Sequence, residues 1–120
     1  MAPFYRFEDL PDEILNPDLS KGHGQTIQGE RIYFGRREQE AGTFTEPHFH
    51  PNEQFLYLLK GKLRVNIEDE EQVVGPGWIV HVPANVVHST RPEGDEDAEY
   101  LYVKDTRGGL TGKAAGSSEP

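Results

Sequence analysis

From residue 31 onward, apolar and polar positions alternate in short runs separated by Gly, Pro, Asn and Asp. Leu63, Val65 and Ile67 alternate with Lys62, Arg64 and Asn66, the period-two pattern of a strand with one solvated face. Similar runs over 31–37, 43–50, 54–59, 62–67, 78–82, 86–90 and 99–103 predict further strands at the spacing of an all-β sandwich or barrel. Lys60-Gly61-Lys62 and Gly75-Pro76-Gly77 read as tight turns between antiparallel neighbours. Before residue 31 the texture differs. Residues 9–17 predict one short helical turn, kept short by Pro11 and Pro17, and Gly22-His23-Gly24 and Gly29 punctuate a loop. The pattern therefore divides the chain into an N-terminal extension over 1–29 that packs on the barrel, a barrel over 30–106 and a Gly-, Ala- and Ser-rich flexible tail over 107–120.

Composition narrows what such a barrel can be. The 120 residues contain 13 Gly and 9 Pro and are 34% hydrophobic, which suits one small core with many turns and polar loops. There is no cysteine, so disulfides, thiolate zinc sites and a cysteine nucleophile are excluded. No apolar run is long enough for a signal peptide or a membrane span, so the expected compartment is the cytoplasm, with no membrane partner. A net charge of -9 argues against nucleic acid, and the one basic pair, Arg36-Arg37, is followed at once by Glu38 and Glu40. The acidic blocks 68–71 and 93–97 lack the oxygen-ligand spacing of a calcium loop and are expected to be solvated loops.

The chemistry concentrates in histidines. His48 and His50 are two apart at the end of an expected strand, so both imidazoles point to one face and can approach one ion. A third imidazole, His88, follows the run Pro83-Ala84-Asn85-Val86-Val87. Three imidazoles with an oxygen donor suit a divalent transition metal. His23, in its Gly-rich loop, is expected to be solvent-exposed; His81 is expected in the core or lining a pocket.

Here the sequence resembles the cupin superfamily. Gly42-x5-His48-x-His50-x3-Gln54-x6-Gly61 fits the first cupin motif, and Gly77-Trp78-x4-Pro83-x-Asn85-x2-His88 is close to the second. The resemblance covers roughly residues 30–105 and implies a single cupin, jelly-roll-like β-barrel. Its mouth would hold one divalent metal (Zn, Mn, Ni, Fe or Co) on His48, His50, Gln54 and His88. Two positions depart from the pattern. Gln54 stands where the family usually has Glu, with Glu53 as its neighbour, and Asn85 stands where Gly is common. Adjacent strand residues face opposite ways, so only one of Glu53 and Gln54 reaches the ion. The spacing to Gly61 favours Gln54, and Leu56 and Leu58 then line the interior pocket. Asn85 is tolerable because Asn also adopts left-handed backbone.

Three neutral imidazoles and a neutral Gln leave a divalent ion at a formal +2, a stronger Lewis acid than a Glu-ligated one. That favours isomerase, lyase or cyclase chemistry on a small oxygenated carbonyl or sugar-like substrate. The motifs are similar to those of small cupins that linearise ketodeoxyuronates in pectin degradation and of polyketide-cyclase-like cupins. An iron-dependent dioxygenase and a non-catalytic small-molecule binder are the alternatives. On the last strand a small barrel interior prefers Leu101 and Val103, which would put Tyr100 and Tyr102 on an exterior or dimer surface. In the opposite orientation Tyr102 or Lys104 could act as acid, base or carbonyl-orienting group; with His81 these are the catalytic candidates. The resemblance further implies a homodimer formed through edge strands.

Overall fold

The structure, a computed structural model, describes residues 3–14, 19, 21–109 and 113–114. Among these residues, one 3-10 turn, Phe7–Asp9, is followed by eleven strands. They are β1 (Glu13–Ile14), β2 (His23–Gln28), β3 (Ile32–Gln39), β4 (His48–Phe49), β5 (Gln54–Lys60) and β6 (Leu63–Ile67). After these come β7 (Glu70–Val74), β8 (Ile79–Val82), β9 (His88–Pro92), β10 (Ala98–Asp105) and β11 (Lys113–Ala114). They form two antiparallel sheets, in the orders β1-β2-β3-β10-β5-β8 and β11-β4-β9-β6-β7, which face each other as a β-barrel. The core cluster joins Leu56, Leu58, Val80, Val82, Ala98, Tyr100 and Tyr102 of the first sheet to Leu63, Val65 and Val74 of the second.

The alternation in 62–67 and 54–59 appears as drawn from the sequence: Leu63 and Val65 are buried, as are Gln54, Leu56 and Leu58, while Phe55, Tyr57 and Leu59 are exposed. The glycine turns also form, but neither joins antiparallel neighbours as expected: 60–62 leads from β5 to β6 and 75–77 from β7 to β8, each crossing from one sheet to the other. Gly61 has φ +74, and a Cβ there would come under 3.0 Å from the Asp97 carbonyl. Gly42, Gly77 and Asn85 share the left-handed conformation, at φ +85, +89 and +63, so Asn85 does stand in for a glycine.

Other expectations are corrected. The stretch 9–17 only touches a helical turn at Asp9, where the 3-10 turn that starts at Phe7 ends; Glu13–Ile14 is strand, with residues 15–18 outside the described residues. His23–Gln28 is not a loop. It pairs with β3, and Gly24 is needed there because a Cβ would run into the Arg36 carbonyl. The stretch set apart as an extension thus supplies two strands to the larger sheet, and Lys113–Ala114 of the tail pairs with β4. The acidic run 68–71 is not all loop, since Glu70 and Glu71 open β7. Glu71 and Glu93, one from each acidic block, both grip Arg64, at 3.0 and 2.8 Å. The run 43–50 is strand only at His48–Phe49; upstream, Thr45 and Glu46 donate their N–H groups to the Thr90 and Leu19 carbonyls instead.

The largest correction concerns β10. Tyr100, Tyr102 and Lys104 are buried, at 1%, 3% and 7% exposure, and Val103 is exposed. The preference for Leu and Val inside fails because the tyrosine hydroxyls find partners there. Tyr100 donates to Gln39 Oε1 at 2.7 Å, and the Tyr102 hydroxyl bonds the Thr26 hydroxyl. Gln39 is fully buried and also accepts from Thr90 at 2.9 Å and donates to Thr45 at 3.3 Å, so this polar network is satisfied.

Candidate metal centre

His48 lies on β4 directly across from His88 on β9, the single register pair joining those strands. His50 follows β4, and Gln54 opens β5 four residues later. A backbone bond from the Asn85 N–H to the His50 carbonyl, 2.7 Å, ties the two motif segments together. The rings of His48 and His88 have centroids 4.2 Å apart, and His50 and His88 4.7 Å. One nitrogen from each of the three comes within 4.8 Å of the others, an arrangement that could hold a metal ion.

The three imidazoles are oriented in the same way. His48 Nδ1–H donates to the Glu46 carbonyl at 2.7 Å, His50 Nδ1–H to the Asn52 carbonyl at 3.0 Å and His88 Nδ1–H to the Val86 carbonyl at 2.9 Å. A carbonyl only accepts, so each bond assigns the proton to Nδ1 and leaves Nε2 as a bare lone pair. Asn52 is itself clamped: its amide donates to the Asp105 and Gly109 carbonyls, at 2.6 and 2.9 Å, which anchors the loop carrying His50. Burial pushes the His48 and His50 imidazoles down to about 4 and His88 to about 3, with the carbonyl bonds opposing and the charge of Lys104 assisting. All three are neutral at pH 7, the state a metal requires.

His50 Nε2 lies 3.1 Å from Gln54 Oε1. With the proton on Nδ1, two lone pairs face each other, a repulsive contact unless the amide is turned or a cation sits between them. Two ligands of one zinc-like ion, each ~2.0–2.1 Å from it, stand about 2.9–3.4 Å apart. The donor set therefore fits a divalent ion. Glu53 lies on the outside of the barrel, where its carboxylate holds His81 at 2.7 Å, and His81 stacks on Phe55. Strand parity separates them from the cluster, because Val80 and Val82 take the inward positions of β8. Half-exposed His81 is thus not a core group; it lines a cleft on the barrel's outside with Glu71, Trp78 and Ile79, away from the imidazole cluster. His23, only partly buried rather than fully exposed, is held by Asp12 at 2.9 Å.

Leu56 and Leu58 belong to the hydrophobic core cluster beyond Gln54. Lys104 pairs in register with both Gln54 and Tyr33, on the wall beside the imidazoles. Burial, and then the charge of Arg37, lower its ammonium to about 8. Burial likewise raises the Tyr102 and Tyr100 phenols, which remain protonated at neutral pH. Arg37 is the residue that sequence reasoning passed over, as half of a failed basic patch. It shares the inward parity of β3 with Tyr33, Gly35 and Gln39, a signal that the short run 31–37 did carry.

The Cupin domain family matches residues 35–104, which spans both motifs and most of the two sheets. The chain is a cupin. It is 26% identical over 78 residues to the Streptomyces cyaneus protein named "Polyketide synthase CurC", covering 64% of this chain and 51% of that one. The chain thus spans about half the length of that curated relative. Among solved structures, the polyketide cyclase RemF from Streptomyces resistomycificus superposes with a TM-score of 0.82 at 21% identity, over 99% of this cupin and 89% of RemF. KdgF from a Halomonas species gives 0.75 at 16% identity, over 89% and 96%. These structures share the fold. Among the described residues of this cupin, no helix is long and apolar enough to cross a membrane.

Proposed function

We propose that this cupin is a divalent-metal Lewis-acid enzyme of the cyclase, isomerase or lyase type, acting on a small carbonyl-rich substrate. The observation that carries the reading is the donor set: three Nε2 lone pairs and the Gln54 amide oxygen converge with no carboxylate among them. His48, His50, His88 and Gln54 would hold the ion. When bound, it supplies Lewis acidity toward a carbonyl oxygen, undiminished by an anionic ligand. The likeness to RemF and to the polyketide synthase CurC supports the cyclase member of this class.

The chain's own residues do the rest. The carbonyls of Glu46, Asn52 and Val86 keep the imidazoles aimed inward and fixed as one tautomer. Lys104, still mostly protonated at pH 7, presents an ammonium on the same wall and favours negative charge developing on a bound oxygen. Tyr100 and Tyr102, tied to Gln39 and Thr26, keep that wall rigid.

Elemental analysis of purified protein, followed by deuterium exchange at the activated CH2 of a β-dicarbonyl compound, tests the reading. We expect one metal per chain and exchange that disappears on chelation and in His88→Ala. Metal-independent exchange, or oxygen consumption seen with ferrous iron alone, would overturn it, the latter in favour of a dioxygenase.

A further inference from the structure

Strand β5 carries an unbroken apolar run, Phe55-Leu56-Tyr57-Leu58-Leu59, the pattern of a strand covered on both faces. Only the inward half is covered within one chain. Leu56 and Leu58 enter the core, whereas Phe55, Tyr57 and Leu59 stay exposed. The neighbouring strands continue this outward pattern. Val103 lies between Phe34 and Phe55 in one cross-strand row; in the next, Leu101 stands beside Tyr57, with Ile79 beyond it. Exposure among these side chains reaches 65% at Ile79, and Leu101 is half-buried. The outer face of the other sheet differs, presenting Arg64, Asn66, Glu71, Ser89 and Arg91 by strand parity. A sheet face left in water looks like that second one.

We propose that a second copy of this chain covers the apolar face, the two larger sheets stacking through Phe34, Phe55, Tyr57, Leu59, Ile79 and Val103. Two flat pleated faces pack well against each other, ~10 Å apart, as in a sandwich. The area suffices. At ~150–250 Å2 for a large side chain, the exposed fractions of these six amount to roughly 500 Å2, enough to mark an interaction site. Ile32 and the polar rim bring the face toward the ~800 Å2 that each partner gives to a stable interface. Carboxylates beside the face are already engaged: Arg36 holds Glu38 at 3.2 Å and Glu99 at 2.9 Å, and His81 holds Glu53 at 2.7 Å. A copy therefore approaches without bringing bare like charges together, whereas this acidic rim disfavours an anionic lipid surface. The sheet edges suit a copy less well, since β1 has two residues and β7 opens with Glu70 and Glu71. Nor does this chain hold a cover of its own. Phe7 shields part of Phe34, at 5.7 Å between ring centroids, and the residues outside the described ones include only Met1, Leu15 and Leu110 as large apolar side chains.

Sedimentation equilibrium of the full chain tests this. At micromolar concentration the expected species has twice the 13.5 kDa mass of one chain. Tyr57→Glu and Ile79→Arg should each weaken association roughly a hundredfold, because every substitution enters a two-fold interface twice. Circular dichroism and the urea midpoint should stay unchanged, since both side chains are exposed in the single chain. Each chain carries -9, so salt should tighten an apolar contact severalfold by screening the repulsion between copies. A single-chain mass at that concentration would overturn the proposal, and so would a dimer that salt loosens; both are read without any variant. A dimer retained in both Tyr57→Glu and Ile79→Arg would move the contact to another surface and overturn it as well. Single chains that co-sediment with phosphatidylserine vesicles would do the same, giving the face to a membrane instead. All of these outcomes leave the Lewis-acid reading untouched, because metal content and carbonyl exchange test it separately.

Discussion

Acid should unfold the metal-free protein earlier than its carboxylates alone would dictate. His48 and His50 titrate near 4 and His88 near 3 in the folded state, against 6.5 for an ordinary histidine. Each folded value lies below the unfolded one, so as pH falls the unfolded chain takes up protons first. The stability these groups contribute is whole above about pH 6.5 and drains away as pH falls toward 4. At about 1.4 kcal/mol per unit, a drop from 6.5 to about 4 is worth roughly 3 kcal/mol for one imidazole. Two or three such groups rival the ~5–15 kcal/mol that holds a whole domain together. Urea unfolding of chelator-treated protein, followed by circular dichroism between about pH 7.5 and 4.5, reads the effect directly. The midpoint should fall steeply across that window, and His88→Gln should flatten the fall by removing one of the three protonations. A flat midpoint, or a variant falling as steeply as the parent, would refute buried neutral imidazoles as the cause. Saturating zinc should shift the fall to lower pH, because the metal competes for the same lone pairs.

Gln54→Glu should retain metal but slow carbonyl chemistry by roughly tenfold or more, since one negative ligand weakens the Lewis acid; an unchanged rate in the exchange assay would undo the charge argument. Gly61→Ala combines a left-handed φ of +74 with a clash against the Asp97 carbonyl. It should cost about 2–4 kcal/mol, visible as a lowered urea midpoint, and a cost under about 0.5 kcal/mol would contradict the backbone reading. Tyr100→Phe removes one of the two hydroxyls donating to Gln39 Oε1 while Thr90 remains. The expected loss is therefore only about 1 kcal/mol. A loss several times larger would mean that the network is held by Tyr100 alone.

The sequence by itself determined the all-β class, the two cupin motifs and the identity of the clustered imidazoles. These signals are local or nearly so: period-two alternation, glycines at sharp turns, and His-x-His on one side of the chain. Parity also chose Gln54 over Glu53 on β5, because a clean run of Leu56 and Leu58 followed it inward. On β10 the same rule had no such anchor. Tyr and Leu both suit a pleated surface, and the choice turned on hydroxyl partners, Gln39 and Thr26, that lie 61 and 76 residues away in the chain. β2 was hidden for a related reason: its burial does not alternate, and its pairing with β3 needs Gly24, which looks like loop punctuation until the Arg36 carbonyl is placed beside it. Tertiary structure alone decided that Lys104 is buried across from Gln54 and that Arg37 takes the inward parity of β3, while every described carboxylate stays near or at the surface. Side-chain charge is legible one residue at a time; the field inside a barrel is a sum over strands that only folding brings together.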